Sequence, residues 1–132
     1  MESVQFFDIS KEIREDSRGF SFYPLTGRVQ DPEMLPQALH LVSIAPGQVR
    51  GNHFHPGRWE WLYPFHGTGY FMGEPHPGDL RERMVSGRRL LIRIPPEVPH
   101  ALRNPGPEPL YLLALREGES NTTEDTVPYL LG

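Results

Sequence analysis

The stretch GQVRGNHFHPGRWEWLYPFHG, from Gly47 to Gly67, holds the pattern that decides the fold and indicates the chemistry. Within it, His53 and His55 are one residue apart, and Glu60 follows after four more. Residues i and i+2 of a β-strand point to the same face, so the pair would place two imidazoles in one cavity. A Pro-Gly turn between them and the carboxylate would return Glu60 on a neighbouring strand. Two imidazoles and a carboxylate indicate a metal site, and His100 in the later segment IPPEVPHALRN is a fourth candidate ligand.

Outward from this stretch, the chain reads as short strands separated by Gly and Pro turns. The predicted strands cover residues 4–9, 20–23, 40–45, 49–55, 59–65, 67–73, 80–85, 89–94, 98–103 and 110–116. The segment SKEIRED before the first turn is polar, GRVQDPEMLPQ is a loop, and Ser86-Gly87 is a hairpin turn. With 15 Pro, 13 Gly and no long 3.6-residue period, helices are not expected. The pattern predicts an all-β sandwich or barrel, with GESNTTEDTVPYLLG as a loose tail or an arm on a neighbour.

Two motifs carry a family resemblance. The spacing from Gly47 through His53-x-His55 and Glu60 to Gly67 matches the first motif of the cupin superfamily. The run Pro95-x-Glu97-x-x-His100-x-x-x-Asn104 resembles most of the second, with Glu97 and Arg89 where glycines are usual. The resemblance implies a cupin-type double-stranded β-helix, a jelly-roll barrel, with short N-terminal strands. It also implies a single cupin domain over residues 1–132.

The predicted metal ligands are His53, His55, Glu60 and His100. Buried together without an ion or a ligand, three imidazoles and a carboxylate would be costly, which favours a functional site. Neutral imidazoles and a carboxylate suit one divalent ion, and Zn, Fe, Mn and Ni all remain open.

Composition limits the class of protein. At 132 residues the chain has the length of one domain. A net charge of -4 and a pI near 5.8 argue against nucleic acid or an anionic membrane as a partner. The sequence contains no cysteine, no apolar leader and no long apolar run, which together predict a cytoplasmic protein. The Asn121-Thr122-Thr123 sequon is interpreted as coincidence.

Strand parity predicts which side chains share a face. If Glu60 points inward, Leu62 follows it, and Trp59, Trp61 and Tyr63 lie on the opposite face. Three outward aromatics predict a covering partner, most simply in a homodimer, with the N-terminal segment as the alternative cover. The same parity groups Val49, Gly51, His53 and His55 on one face, and groups Val98, His100 and Leu102 on another strand.

A narrower resemblance concerns the run Arg50-Gly51-Asn52-His53, which is similar to the RGxH signature of cupins that modify nucleotide-linked deoxysugars. The run from Asp16 to Phe20 is similar to the D-x-R-G-F turn of the epimerases among them. The resemblance implies that Arg50 and Arg18 hold substrate and that His53 is the general base. Together with Tyr70 and Leu102, these arginines are the candidate substrate-binding residues.

The implied function is epimerisation or keto-isomerisation of a nucleotide-linked sugar, or another reaction on a small polar substrate. Imidazole suits proton removal beside a ketone, and arginine forks suit diphosphates. The family's tyrosine acid has no clear counterpart, and Tyr63, Tyr70 and Tyr111 are candidates. Two alternatives stay open: an Fe, Ni or Mn dioxygenase or small oxo-acid isomerase or decarboxylase, and a sugar-binding sensor without catalysis.

Overall fold

The computed structural model describes residues 5, 8, 10–23, 39–86, 90–117 and 126–131. Its strands, in chain order, are β1 (Arg14–Asp16), β2 (Gly19–Phe22), β3 (His40–Ile44), β4 (Val49–Phe54), β5 (Trp59–His66), β6 (Thr68–Gly73), β7 (Arg81–Ser86), β8 (Ile92–Ile94), β9 (His100–Arg103), β10 (Leu110–Glu117) and β11 (Val127–Pro128). In this described part of the chain there is no helix, and hence none long and apolar enough to cross a membrane.

The strands form two antiparallel sheets, which confirms the prediction of an all-β jelly roll with short N-terminal strands. One sheet has the order β1-β2-β3-β10-β5-β8, and the other has the order β11-β4-β9-β6-β7. Neighbours in each sheet are mostly distant in sequence, as when β10 pairs with both β3 and β5. This crossing of the chain pairs β4, from the first motif segment, with β9, from the second.

The core lies between the sheets and is built by period-two alternation. In β10, Leu110, Leu112 and Ala114 are 0%, 4% and 4% exposed, and they face the buried side chains of β3. The strand β5 follows the predicted parity, because Glu60 and Leu62 are buried while the alternating aromatic residues Trp59, Trp61 and Tyr63 are only half-buried. Burial of such branched aliphatic side chains supplies most of the driving force for this arrangement.

The second motif ends in a buried asparagine that joins the motif segments. Asn104 is 1% exposed, and its amide donates to the carbonyls of Ile44 and Glu108 at 2.8 Å each. Its own backbone carbonyl accepts from Gly47 N at 2.7 Å. An asparagine here satisfies backbone groups that would otherwise be buried without partners.

Glu97, which stands where the second motif usually has glycine, has a φ of 68°. This left-handed conformation is the one that glycine adopts without strain, so Glu97 has a backbone conformation suited to the glycine usual at this motif position. Arg89, the other departure from the motif, lies outside the described residues.

The segment SKEIRED ends in three exposed polar residues that form β1 and pair with β2, so its polar character agrees with the prediction. One expectation about local structure was wrong. Residues 126–131 are not a loose tail or an arm on a neighbour, because β11 pairs with β4 of the same chain. The predicted strand 4–9 lies mainly outside the described residues, and the predicted 27–37 loop, the Ser86-Gly87 turn and the sequon involve residues outside them.

The aromatic face of β5 has an internal partner. The Arg93 guanidinium on β8 lies 3.7 Å from the ring centroid of Trp59 and 5.1 Å from that of Trp61. A cation over the indole faces covers part of this surface. The homodimer stays a prediction, as does the alternative in which the N-terminal segment covers this face.

Candidate metal centre

The four predicted ligands converge. His53 lies on β4, His55 follows its end, Glu60 lies on β5 and His100 begins β9. One ligand atom from each lies within 4.8 Å of the other three. His55, Glu60 and His100 are 2%, 4% and 3% exposed, and His53 is half-buried. Three imidazoles and a carboxylate therefore meet at one largely buried point, as the sequence predicts.

A β-bulge in β4 determines what else reaches this point. The pairing with β9 shifts between Gly51 and His53, so that Arg50 lies opposite Leu102 and His53 lies opposite His100. Paired residues in an antiparallel sheet share a face, so Arg50 and His53 point the same way although they are three residues apart. The parity expectation that grouped Val49 and Gly51 with His53 was wrong, because strict alternation ignores the extra residue.

The bulge requires glycine at its first position. Gly51 has a φ of 104°, and a Cβ built on it would lie 2.8 Å from both Ala101 Cα and the His100 carbonyl oxygen. Asn52 follows with a φ of 55°, a conformation that asparagine tolerates better than most residues. The backbone of β4 thus lies so close to the backbone of His100 that only a residue without a Cβ fits at position 51.

Glu60 is surrounded by positive or potentially positive groups. Its Oε1 lies 2.9 Å from His100 Nε2, and its Oε2 lies 3.2 Å from both His55 Nε2 and Arg116 Nε. Burial by itself would raise the pKa of Glu60, but its close contacts with the His100 and His55 imidazoles outweigh burial and hold this pKa below its usual range. The carboxylate is therefore ionised and ready to bind a cation.

The outer nitrogens of two ligand imidazoles are held by groups outside the cluster. His100 Nδ1 lies 3.0 Å from the carbonyl oxygen of Val98, which can only accept, so Nδ1 carries the proton. His55 Nδ1 lies 3.2 Å from Thr126 Oγ1. Such contacts fix the ring orientation and turn Nε2 inward, as second partners of metal-binding histidines do.

This arrangement fits a metal ion. With the proton of His100 on Nδ1, its Nε2 lone pair lies 2.9 Å from a Glu60 carboxylate oxygen, and a shared cation would stabilise this contact. The four ligand atoms lie within 4.8 Å of one another, near the separation of up to about 4.2 Å that metal–ligand bonds of about 2.1 Å allow. Burial, followed by the charges of His100 and His55, lowers the pKa of His53 to about 4, so its ring is neutral near pH 7. Neutral imidazole is the form that binds metals.

Three of the four ligands lie at the wall of a cavity of about 160 Å³. Its lining comes from both sheets and includes Gly51 and the apolar side chains of Val42, Ile44, Leu62, Leu102, Leu112 and Ala114. Its polar lining consists of the ligands His53, Glu60 and His100 together with Arg18, Arg50, Arg116 and His40. Apolar walls around charged groups strengthen electrostatic interactions inside the cavity.

Two arginines from separate sequence motifs meet at this cavity. Arg18 is held by Asp16 at 2.6 Å, and Arg50 lies 4.0 Å from the same carboxylate and donates to the Ser43 carbonyl at 3.0 Å. Burial and then the charge of Arg18 lower the pKa of Arg50, because the two cations share one neighbourhood. One carboxylate facing two guanidiniums leaves net positive charge, which favours an anionic ligand.

The structure brings most, but not all, of the predicted substrate-binding residues to this cavity. Arg18, Arg50 and Leu102 line it, whereas Tyr70 does not. Tyr70 pairs with Arg103 on β9, on the opposite face from Leu102, and its hydroxyl donates to Glu82. The other candidate acids, Tyr63 and Tyr111, are also absent from the lining, and no tyrosine among the described residues contributes to it.

Sequence reasoning missed three residues of the site. Arg116 has the same parity on β10 as the buried residues Leu112 and Ala114. A charged residue at a position where the alternation predicts a buried one was the signal that could have identified it. His40, which was not among the predicted site residues, shares the inward parity of Val42 and Ile44 and lines the cavity. Burial, followed by the charges of Arg116 and Arg50, lowers the pKa of His40 to about 4. Thr126 carried no signal, because its contact with His55 joins residues 71 positions apart.

Comparison with known proteins gives the context of this site. The sequence matches the model of the cupin domain over residues 40–116. No curated protein sequence matches significantly. Among solved structures, the capsular polysaccharide assembling protein CapF from Staphylococcus aureus aligns with a TM-score of 0.73 at 22% identity, covering 90% of this chain and 32% of that chain.

Enzymes named for oxalate are also similar in structure. A variant of oxalate decarboxylase from Bacillus subtilis aligns with a TM-score of 0.70 at 24% identity, covering 83% of this chain and 28% of that one. An oxalate oxidase aligns with a TM-score of 0.59 at 22% identity, covering 68% and 44%. The chain thus spans less than half the length of each of these proteins, and the likeness shows the fold.

Proposed function

Because this chain belongs to the cupin family, we propose that it is a metal-dependent enzyme acting on a small anionic substrate. His53, His55, Glu60 and His100 would hold one divalent ion. The observation that carries this proposal is a cluster of four potential ligands, three of which line one cavity together with two guanidinium groups. The metal ion would polarise the reacting group, and Arg18 and Arg50 would bind the negatively charged group of the substrate.

The size of the cavity favours a small substrate. Its volume of about 160 Å³ is close to that of an engineered cavity of about 150 Å³ that holds benzene. A short oxo-acid or hydroxy-acid would fill it. A nucleotide-linked sugar could place only its reacting part inside, with the diphosphate held near Arg18, whose side chain is 46% exposed.

The reaction can be described from the side chains of the chain itself. A bound divalent ion would supply Lewis-acid stabilisation of an oxyanion next to the reacting carbon. Arg50, 17% exposed and held by Ser43, would fix a carboxylate or phosphate and so orient the substrate. Leu62, Leu102 and Leu112 would exclude water from the reacting atoms. Small oxo-acid chemistry, including isomerisation, decarboxylation or dioxygenation, needs these parts.

A second candidate is keto-isomerisation or epimerisation of a nucleotide-linked sugar, with His53 as the base. The observation that favours it is that Arg18 and Arg50, each from a motif of the sugar-modifying cupins, line the same cavity as His53. The capsular name of CapF agrees with sugar chemistry. Two observations argue against this candidate. His53, with a pKa of about 4, is a weak base at neutral pH, and no described tyrosine lines the cavity as the acid.

Elemental analysis of the purified protein tests the metal site. We expect about one divalent ion per chain in the wild type, and loss of that ion in His53→Ala and His100→Ala. The matched control is His76→Ala, an exposed histidine of the β6–β7 loop, which should keep the metal. Folded wild-type protein that takes up none of Zn, Mn, Fe or Ni would contradict the proposal and favour His53 as a metal-independent base.

Assays on the metal-loaded protein separate the candidate reactions. Oxygen consumption with short oxo-acids would identify a dioxygenase, and carbon dioxide release without oxygen would identify a decarboxylase. Exchange of the sugar α-proton with solvent in a dTDP- or UDP-linked ketosugar would identify the second candidate. Binding of such a sugar without exchange would identify a sensor and refute catalysis on that ligand.

A further inference from the structure

The segment of residues 126–131, named here the C-terminal clamp, lies against the end of β4, which carries the proposed ligand His53 and is followed directly by the proposed ligand His55. Val127 pairs with Phe54, and Pro128 pairs with His53. The clamp ends in Leu131, which is 6% exposed, so its far end is anchored in the protein interior. Residues distant in sequence are thereby fixed beside the proposed metal centre.

The clamp holds the bulge by two hydrogen bonds to one residue. Tyr129 N donates to the Asn52 carbonyl at 2.7 Å, and Leu131 N donates to Asn52 Oδ1 at 3.0 Å. Asn52 has the left-handed φ of 55° that sets the direction in which His53 leaves the bulge. Both its backbone and its side chain are thus committed to the clamp.

The first residue of the clamp reaches a ligand directly. Thr126 Oγ1 lies 3.2 Å from Nδ1 of His55, whose Nε2 lies 3.2 Å from the Glu60 carboxylate. A hydroxyl can accept from Nδ1–H, which places the remaining lone pair on Nε2. In that tautomer His55 is ready to coordinate a cation through the nitrogen that faces Glu60.

From these contacts we propose that the C-terminal clamp positions the metal centre, with Thr126 as the positioning residue for His55. The inference rests on the proposed metal-dependent function and assigns a role to a segment outside both sequence motifs. Partners of this kind typically change metal affinity by about 10- to 100-fold when removed. Thr126 would therefore contribute to affinity although it does not touch the ion.

A titration with Co²⁺ alone, in which the visible absorption of the ion reports its ligand geometry, tests this role. Thr126→Val keeps the side-chain shape and removes the hydroxyl, and we expect an affinity at least about tenfold lower together with a changed spectrum. Thr126→Ser should restore both. Leu130→Ala is the matched control, because Leu130 belongs to the same segment and is 84% exposed.

A second variant tests the hold on the bulge. Asn52→Gly keeps the left-handed backbone accessible and removes the acceptor for Leu131 N, and it should also weaken Co²⁺ binding severalfold. Wild-type affinity and spectrum in both Thr126→Val and Asn52→Gly would overturn the inference and leave the metal centre intact. A wild-type protein that binds no Co²⁺ would overturn the proposed function and the inference with it.

Discussion

Substitution of Gly51 by alanine tests the geometry of the bulge most directly. The new Cβ would lie 2.8 Å from Ala101 Cα and from the His100 carbonyl oxygen, and the backbone has a φ of 104°. Carbon atoms pack at about 3.5 Å or more, so β4 and β9 would have to separate by about 0.7 Å. Overpacking of this kind costs about 1–3 kcal/mol, and the left-handed backbone adds about 1–2 kcal/mol for a residue with a Cβ.

The expected loss of stability is therefore about 3 kcal/mol, measured as the free energy of unfolding in urea with a chelator present. Gly78→Ala is the matched control, because Gly78 has a φ of 84° and no atom lies within 4 Å of the position that a Cβ would take there. It carries the backbone penalty alone, about 1 kcal/mol. The difference between the two variants isolates the clash with β9.

The same variant should lose metal. His100 begins at the point of the clash, and metal sites tolerate ligand displacements of about 0.2 Å. A shift of about 0.7 Å in β9 should lower Co²⁺ affinity at least about tenfold, whereas Gly78→Ala should leave it unchanged. If Gly51→Ala unfolds within about 0.5 kcal/mol of Gly78→Ala and binds Co²⁺ normally, the close approach of the two strands is refuted.

Three further predictions concern single residues. Glu97→Gly should raise the free energy of unfolding by up to about 1 kcal/mol in urea titrations, because the φ of 68° strains glutamate and not glycine. His40, with a pKa lowered to about 4, stays neutral in the folded state while the unfolded chain takes up a proton below pH about 6.5. Stability should thus fall as the pH falls from about 6.5 towards 4, and His40→Phe should reduce this loss by up to about 2 kcal/mol between unfolding curves at pH 7 and pH 5. Arg93→Ala should lower stability by about 0.5–1 kcal/mol and shift the fluorescence of Trp59 and Trp61 to longer wavelength, since the cation over the indoles is lost.

Controls make these three outcomes decisive. Glu97→Ala keeps the strain while removing the charge, so equal stabilisation by alanine and glycine would contradict the backbone explanation. An unchanged acid dependence in His40→Phe would place the titrating group elsewhere. Arg93→Lys keeps a charge but not the flat guanidinium, and fluorescence identical to the wild type in Arg93→Ala would show that the indoles do not depend on this contact.

The ligand set was predictable from sequence because its information is local. His53 and His55 are close together on one strand, a turn returns Glu60, and the second motif marks His100 independently. Short strands between Gly and Pro turns likewise predicted most of the strands on both sheets. Residue spacing of this kind can be recognised in the sequence without knowing which strands are neighbours in the sheets.

What the sequence did not reveal depends on pairing between distant strands. The bulge at Gly51 appears in the register of β4 against β9, and strict alternation therefore grouped Val49 and Gly51 wrongly with His53. Tyr70 is suitable by residue type, yet its pairing with Arg103 turns it away from the cavity. Thr126 meets His55 only because β11 adds to β4. Such contacts are determined by the assembled sheets and leave no periodic signal.

The edge strands of both sheets are poorly suited to pairing with strands of other chains. The strand β1 is Arg-Glu-Asp and fully exposed, β7 begins with Arg-Glu-Arg, β8 has three residues, and β11 has two residues, one of them Pro128. Edge strands that are charged, very short or contain proline are poor templates for the addition of another strand. Concentrated protein should therefore resist fibril-like growth by continuous sheet extension. A second copy would have to associate face to face, and the aromatic surface of β5 is then the natural place for it.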